Sequence, residues 1–143
     1  VLMHMLGEPR SMQDDPRYDD VVADVGQFLS DAAERVMDAG VARESISLDP
    51  GIGFGKTLDH NLDLLSSGVA EIAAFGFPVL VGASRKRFIA GVLGAIEPED
   101  RDAPTAVAHA LAIASGAAVV RAHNVVMALR TARIADAIVR RRS

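Results

Sequence analysis

At 143 residues the chain is long enough for one compact domain. Half of it is apolar and its mean hydropathy is +0.22, which excludes a disordered segment. The net charge of −4 argues against general nucleic-acid binding, and the absence of cysteine excludes disulfides and thiolate chemistry. The sequence contains no signal peptide and no apolar run of membrane length, so no membrane partner is expected. Its first residue, Val1, already lies in an apolar run, which suggests a piece of a longer chain.

In chain order, the apolar run Val1 to Met5 predicts a strand. Alternation along it sends His4 to one face and Met3 and Met5 to the other, and Met3 first suggests packing. A helix is expected over Asp19 to Ala39, with Val21, Val25, Phe28, Ala32 and Val36 at helical spacing and Gly40 closing it. A second strand spans Ser45 to Asp49 and a second helix about Leu58 to Phe75. The third strand is Pro78 to Gly82, and Ser84 behind it sits where an N-cap would. Two helical pieces follow, about Arg85 to Leu93 and Thr105 to Ser115, with the acidic loop Glu97 to Asp100 between them. Ala118 to Ala122 is the fourth strand, and the last helix covers about Val125 to Arg141.

This β-then-α rhythm predicts parallel strands joined by right-handed crossovers. Chemistry in such sheets collects at the carboxyl ends of the strands. The polar residues of this chain stand at those ends. Four strands fit either a small open sheet or half of a (β/α)8 barrel, which needs about 250 residues.

The stretch Ser47 to Thr57 invites a phosphate-loop reading, but counting defeats it. Pro50 holds the position of the first glycine, and Gly51 lies one residue too close to Gly55-Lys56-Thr57. The dinucleotide fingerprint fails as well, because Gly51, Gly53 and Gly55 alternate. The loop is still rich enough in glycine for close approach to a ligand. Asp49 either accepts two N–H groups from a guanidine-like ring edge or simply caps the loop. Lys86, one of only two lysines, stands between Arg85 and Arg87 at a helix start, and Arg87 is the blander of those arginines. Arg121 and His123 alternate, so they face the same way and suit a phosphate or diphosphate. A salt bridge plus a buried histidine is the even alternative. His60 and His109 suggest surface or satisfied histidines, and no pair of histidines has metal-site spacing.

Leu2-Met3-His4-Met5, Leu48 to Thr57, Gly82-Ala83-Ser84-Arg85-Lys86 and Arg121-Ala122-His123 occur in this order and spacing in dihydropteroate synthase, and the chain resembles the carboxyl-terminal half of that family. The resemblance implies an α/β fold of parallel (β/α) units. Residues 1–143 would form a single pterin-binding half of a TIM (β/α)8 barrel. The activity implied is condensation of 6-hydroxymethyl-7,8-dihydropterin diphosphate with p-aminobenzoate, giving 7,8-dihydropteroate and diphosphate, in the cytoplasm. Asp49 and Lys86 would hold the pterin, with Met3 packed on the ring. Phe54, Ser84 and Arg85 would surround p-aminobenzoate. Arg121 and His123 would bind diphosphate, and with Lys86 they would form the catalytic set. The resemblance also implies Mg²⁺, with its ligand in the half not present here, and sulfonamides as competitors. It implies a homodimer or a need for the missing half, and an isolated fragment without activity. Asn124 departs from the family, which usually has Asp there. A methyltetrahydrofolate-dependent methyltransferase or a non-catalytic half-barrel are the alternatives; the former has no diphosphate for Arg121 and His123 to bind.

Overall fold

The computed structural model describes residues 1–139 and 141. Four short strands lie side by side in chain order, all parallel: β1 (Leu2–Met3), β2 (Leu48–Asp49), β3 (Val79–Val81) and β4 (Ala117–Val120). Between them run α1 (Val21–Asp38), α2 (Leu58–Asp63), α3 (Val69–Ala73), α4 (Arg87–Leu93) and α5 (Asp102–Ala114). The helix α6 (Val125–Val139) follows β4. Sequential neighbours with a helical crossover in each connection make a barrel wall; a doubly wound sheet reverses its strand order at a switch point.

The core is a seam between helices and sheet. Val25 and Leu29 of α1, Val69 and Ile72 of α3 and Ala112 of α5 pack with Leu48, Val79 and Val81. Asp20 caps α1 with its carboxylate, accepting the N–H groups of Val22 and Ala23 at 2.9 and 3.0 Å.

The four strands and the order of helices agree with the sequence expectations, and four details differ. Phe28 is not a core residue. It is 41% exposed, and Leu29 fills the inner face instead, because the stripe follows Val21, Val22, Val25 and Leu29. The second helix passes through a π-helical turn at Leu64–Gly68. That turn shifts the phase, so that Leu64, Gly68, Val69 and Ile72 are all buried. Ser84 is not an N-cap, since α4 begins two residues later than expected. Arg85 has φ +58°, and a residue in that left-handed region cannot start a helix. The helix α5 starts at Asp102, ahead of the expected Thr105. Of the expected end of the last helix, Arg140 lies outside the described residues.

Replacing the fully buried Leu29 by Ala is expected to destabilise the fold by about 2–5 kcal/mol in urea denaturation. Phe28→Ala should cost clearly less.

Candidate active site

Asp49 closes β2, and its Oδ1 accepts the Gly51 N–H at 2.8 Å. The chain then turns through Gly51 at φ +69° and Gly53 at φ +79°. A Cβ on Gly51 would lie 1.9 Å from the carbonyl oxygen of His4, and one on Gly53 would lie 2.8 Å from Cδ of Lys86. The loop is therefore pressed between the end of β1 and the Lys86 side chain, a fit open only to glycine. Asn61 of α2 accepts the Gly53 N–H at 2.6 Å, and Gln13 donates to the Gly53 carbonyl at 2.7 Å. Lys56 runs beneath the loop. Its Nζ donates to the Phe54 carbonyl at 3.1 Å and meets His4 Nδ1 at 3.0 Å.

Beyond β3, Lys86 donates to the Ile52 carbonyl, and its ammonium sits 3.8 Å from the Phe54 ring centroid. Ser84 bridges to the end of β4. Its Oγ accepts the His123 N–H at 3.1 Å and lies 2.9 Å from His123 Nδ1. The Arg121 guanidinium lies over Gly82, where a Cβ would come within 2.9 Å of it. Phe54, Gly82, Ser84, Lys86, Arg121, Ala122 and His123 line one pocket of about 270 Å³.

Residues 1–123 match the family model described as pterin binding enzyme. The chain belongs to that family. A dihydropteroate synthase of Escherichia coli (strain K12) is 40% identical over 136 residues, which is 95% of this chain and 48% of that protein. The dihydropteroate synthase of Synechocystis sp. is 41% identical, with 96% and 47% covered. Among solved structures, the Yersinia pestis dihydropteroate synthase with a sulfonamide drug complex superposes with a TM-score of 0.91 at 38% identity. That match covers 96% of this chain and 49% of the other. The Thermus thermophilus enzyme in complex with 6HMPPP gives 0.87 at 42% identity, with 95% and 53% covered. The chain spans about half the length of the curated relatives it matches. Its sheet corresponds to about half of a TIM barrel of these pterin binding enzymes.

The substrate-binding residues expected from sequence do not all fall in one place. Phe54, Ser84, Lys86, Arg121 and His123 share the pocket. Asp49 is 2% exposed and faces the same cations: burial pushes its carboxyl up, opposed by the Gly51 N–H and by the charges of Arg121, Lys86 and Lys56. Met3 pairs in register with Asp49 on the neighbouring strand. Arg85 stands apart from the pocket lining, because its guanidinium is engaged by Asp102 at 2.8 and 3.1 Å. Asp49 closes its turn through the Gly51 N–H, as the loop-capping reading expects, and also faces the cations.

Burial lowers the Lys86 ammonium to about 8, helped by the Arg121 charge and opposed by Asp49. Burial takes Lys56 to about 7, with Asp49 opposing. His4 falls to about 4 through burial and the adjacent Lys56. Sequence reasoning gave Lys56 no contact and His4 no role. Their partnership spans 52 positions, and the only local signal was a lysine inside an otherwise apolar glycine loop. Asn61, Gln13 and Asp102 were missed for the same reason. His60 is satisfied, accepting the Thr57 N–H at 3.3 Å. His109 is neither exposed nor satisfied: α5 turns it fully inward, and its ring nitrogens have no partner among the described residues.

The signs for pH follow from these directions. Unfolded His4 protonates below about 6.5 but the folded residue only below about 4, so stability falls as pH drops through that window. Buried His109 acts in the same direction. Lys56 works in a separate range: unfolded it holds its proton up to 10.5 and folded only to about 7, so its penalty is lifted as pH rises between them. The raised Asp49 carboxyl works the other way, costing stability as pH climbs above its ordinary 3.8. Urea midpoints measured from pH 4 to 7 should therefore rise less with pH, or fall more, in His4→Gln than in the parent.

Proposed function

We propose that the protein acts as part of a dihydropteroate synthase. It would join 6-hydroxymethyl-7,8-dihydropterin diphosphate to p-aminobenzoate, giving 7,8-dihydropteroate and diphosphate. The observation that carries this reading is the single pocket that gathers Phe54, Ser84, Lys86, Arg121 and His123, with Asp49 in electrostatic reach of Lys86 and Arg121. Relatives in complex with 6HMPPP and with 4-aminobenzoate, both dihydropteroate synthases, support it.

In this reading Asp49 accepts N–H groups of the pterin ring, Lys86 donates to ring acceptors, and Met3 packs on the flat face. A lysine near 8 is still mostly charged at neutral pH and remains a donor. Arg121 offers a planar fork to the diphosphate. The Ser84 hydroxyl, which already accepts the His123 amide, donates to Nδ1, leaving the His123 Nε2–H as a donor to the same anion.

The bond between the methylene carbon and the diphosphate oxygen breaks, and its electron pair leaves with diphosphate. The p-aminobenzoate nitrogen forms the new bond to that carbon and loses a proton. Cations placed where charge grows, together with alignment of the two substrates, supply the rate. No protein nucleophile is required. Phe54 and Ser84 line the p-aminobenzoate side, where sulfonamides would compete. A methyl donor without diphosphate gives Arg121 and His123 nothing to bind, and a non-catalytic half-barrel leaves the convergence of cations without use.

Among the described residues no group of three or more His, Cys, Asp or Glu side chains could hold a metal ion, and in this reading Mg²⁺ takes no ligand from them. Its ligands would lie outside this chain, and no step of the reaction passes through it here. No helix among the described residues is long and apolar enough to cross a membrane, and the reading places the enzyme in the cytoplasm. Self-association as a homodimer, or pairing with the other half of the barrel, would cover the apolar groove where Val92, Leu93, Val107 and Leu111 are each more than half exposed. Sedimentation giving a monomer of the complete enzyme would count against the dimer.

The protein made from its full reading frame is expected to form dihydropteroate from the two substrates. Lys86→Met and Arg121→Ala should each lower kcat/KM by about a hundredfold or more with the circular dichroism unchanged. No turnover by the parent protein sinks the proposal.

A further inference from the structure

Residue 85 is held from one direction. Thr105 Oγ1 accepts its backbone N–H at 3.1 Å, Arg101 donates to its carbonyl at 3.1 Å, and Asp102 takes two of its guanidinium N–H groups at 2.8 and 3.1 Å. All three partners lie at the start of α5, and together they fix Arg85 in its left-handed conformation.

The same carboxylate reaches the other loop. Asn124 Nδ2 donates to Asp102 Oδ2 at 2.9 Å, while Asn124 Oδ1 accepts the Met127 N–H at 3.0 Å and so caps α6. The cap decides which way the amide points: the oxygen must face Met127, so the NH₂ must face Asp102. A carboxylate at position 124 would keep the cap but would set two anions within hydrogen-bonding distance of each other.

We propose that Asp102 is a positioning residue that ties the two loops of the pocket to one carboxylate, and that this tie requires a neutral donor at position 124. Arg85 lies between Ser84 and Lys86, and Asn124 follows His123, so one carboxylate spans the third-strand and fourth-strand halves of the pocket, alongside the direct contact of Ser84 with His123. The consequence for catalysis rests on the synthase reading; the tie itself does not.

A charge exchange in the protein from its full reading frame tests it. Asp102→Asn, Asn124→Asp and the double variant are each measured by thermal melting and by KM and kcat for the condensation. Either single change is expected to lower the melting temperature and to raise KM about tenfold, the effect of one charge-assisted hydrogen bond. In the double variant the amide at 102 accepts from Arg85 Nε and donates to the carboxylate at 124, which still caps α6. The amide at 102 gives up its bond from Arg85 Nη2, so melting and KM should recover only part of the way, but the combined loss should be smaller than the two single losses added together, which independent structural losses do not give. Additive losses in the double variant, or Asn124→Asp behaving like the parent, overturn the proposal. A parent protein without turnover refutes the synthase reading alone, since the melting cycle needs no substrate and still decides whether 102 and 124 are coupled.

Discussion

Asp49 and Lys56 are ionisable groups taken almost wholly out of water, at 2% and 4% exposure, and the carboxyl ends of the strands are arranged around that fact. An isolated buried ion costs far more than one contact returns, so each must be compensated by its neighbours. Asp49 has the Gly51 N–H and three cations; Lys56 has the Phe54 carbonyl, the His4 ring and the Asp49 charge. The Gly51 N–H, the Phe54 carbonyl and the His4 ring serve as partners only with the glycine loop pressed against the end of β1. Gly51 is indispensable for that reason: any side chain there would collide with the His4 carbonyl and lift the loop off the lysine. The left-handed glycines thus follow from the electrostatics as much as from the turn.

The strands were legible because each apolar run ends in a polar cluster, and the chemistry of parallel sheets gathers at such ends. The pocket was legible for the same reason: Phe54, Ser84, Lys86, Arg121 and His123 each lie within a few residues of a strand end. What sequence could not show is whatever depends on distant pairing. His4 with Lys56, Arg85 with Asp102 and Asn124 with Asp102 are separated by 52, 17 and 22 positions, and no local pattern links them. The misplaced helix start has a local cause of the same kind. Ser84 has the side chain of an N-cap, but its hydroxyl is drawn to His123, and Thr105 and Arg101 pin Arg85 in a conformation that no helix begins with. Phe28 was misjudged because its spacing suits the inner stripe, yet its ring packs edge-on against His4, 4.9 Å between centroids, at the border of the core.

The cations of the site are sorted by exposure. Lys56 is buried and holds the loop; Lys86 is partly buried and lies against Ile52 and Phe54; Arg121 is exposed and lies over a residue without a side chain. That gradient separates a structural charge from one able to meet an incoming anion. It also explains why failure of the phosphate-loop count is compatible with anion binding, for the cations come from strand tips and not from a lysine at the end of a glycine loop.

The last of these placements depends on one irregularity in the sheet. Val79 pairs with Ala117, but Leu80 pairs with Val119 and Val81 with Val120, so β4 carries one extra residue there. Carried forward, the shifted register sets Arg121 beside Gly82 and His123 beside Ser84, the neighbours the structure gives them. Without the bulge every later residue of β4 would move by one, and both side chains would turn to the other face of the sheet. Arg121 would then lose the gap above Gly82, and Ser84 would face Ala122 in place of an imidazole. The placement of Arg121 and His123 at the pocket is therefore set in the middle of a strand, before either of those residues is reached.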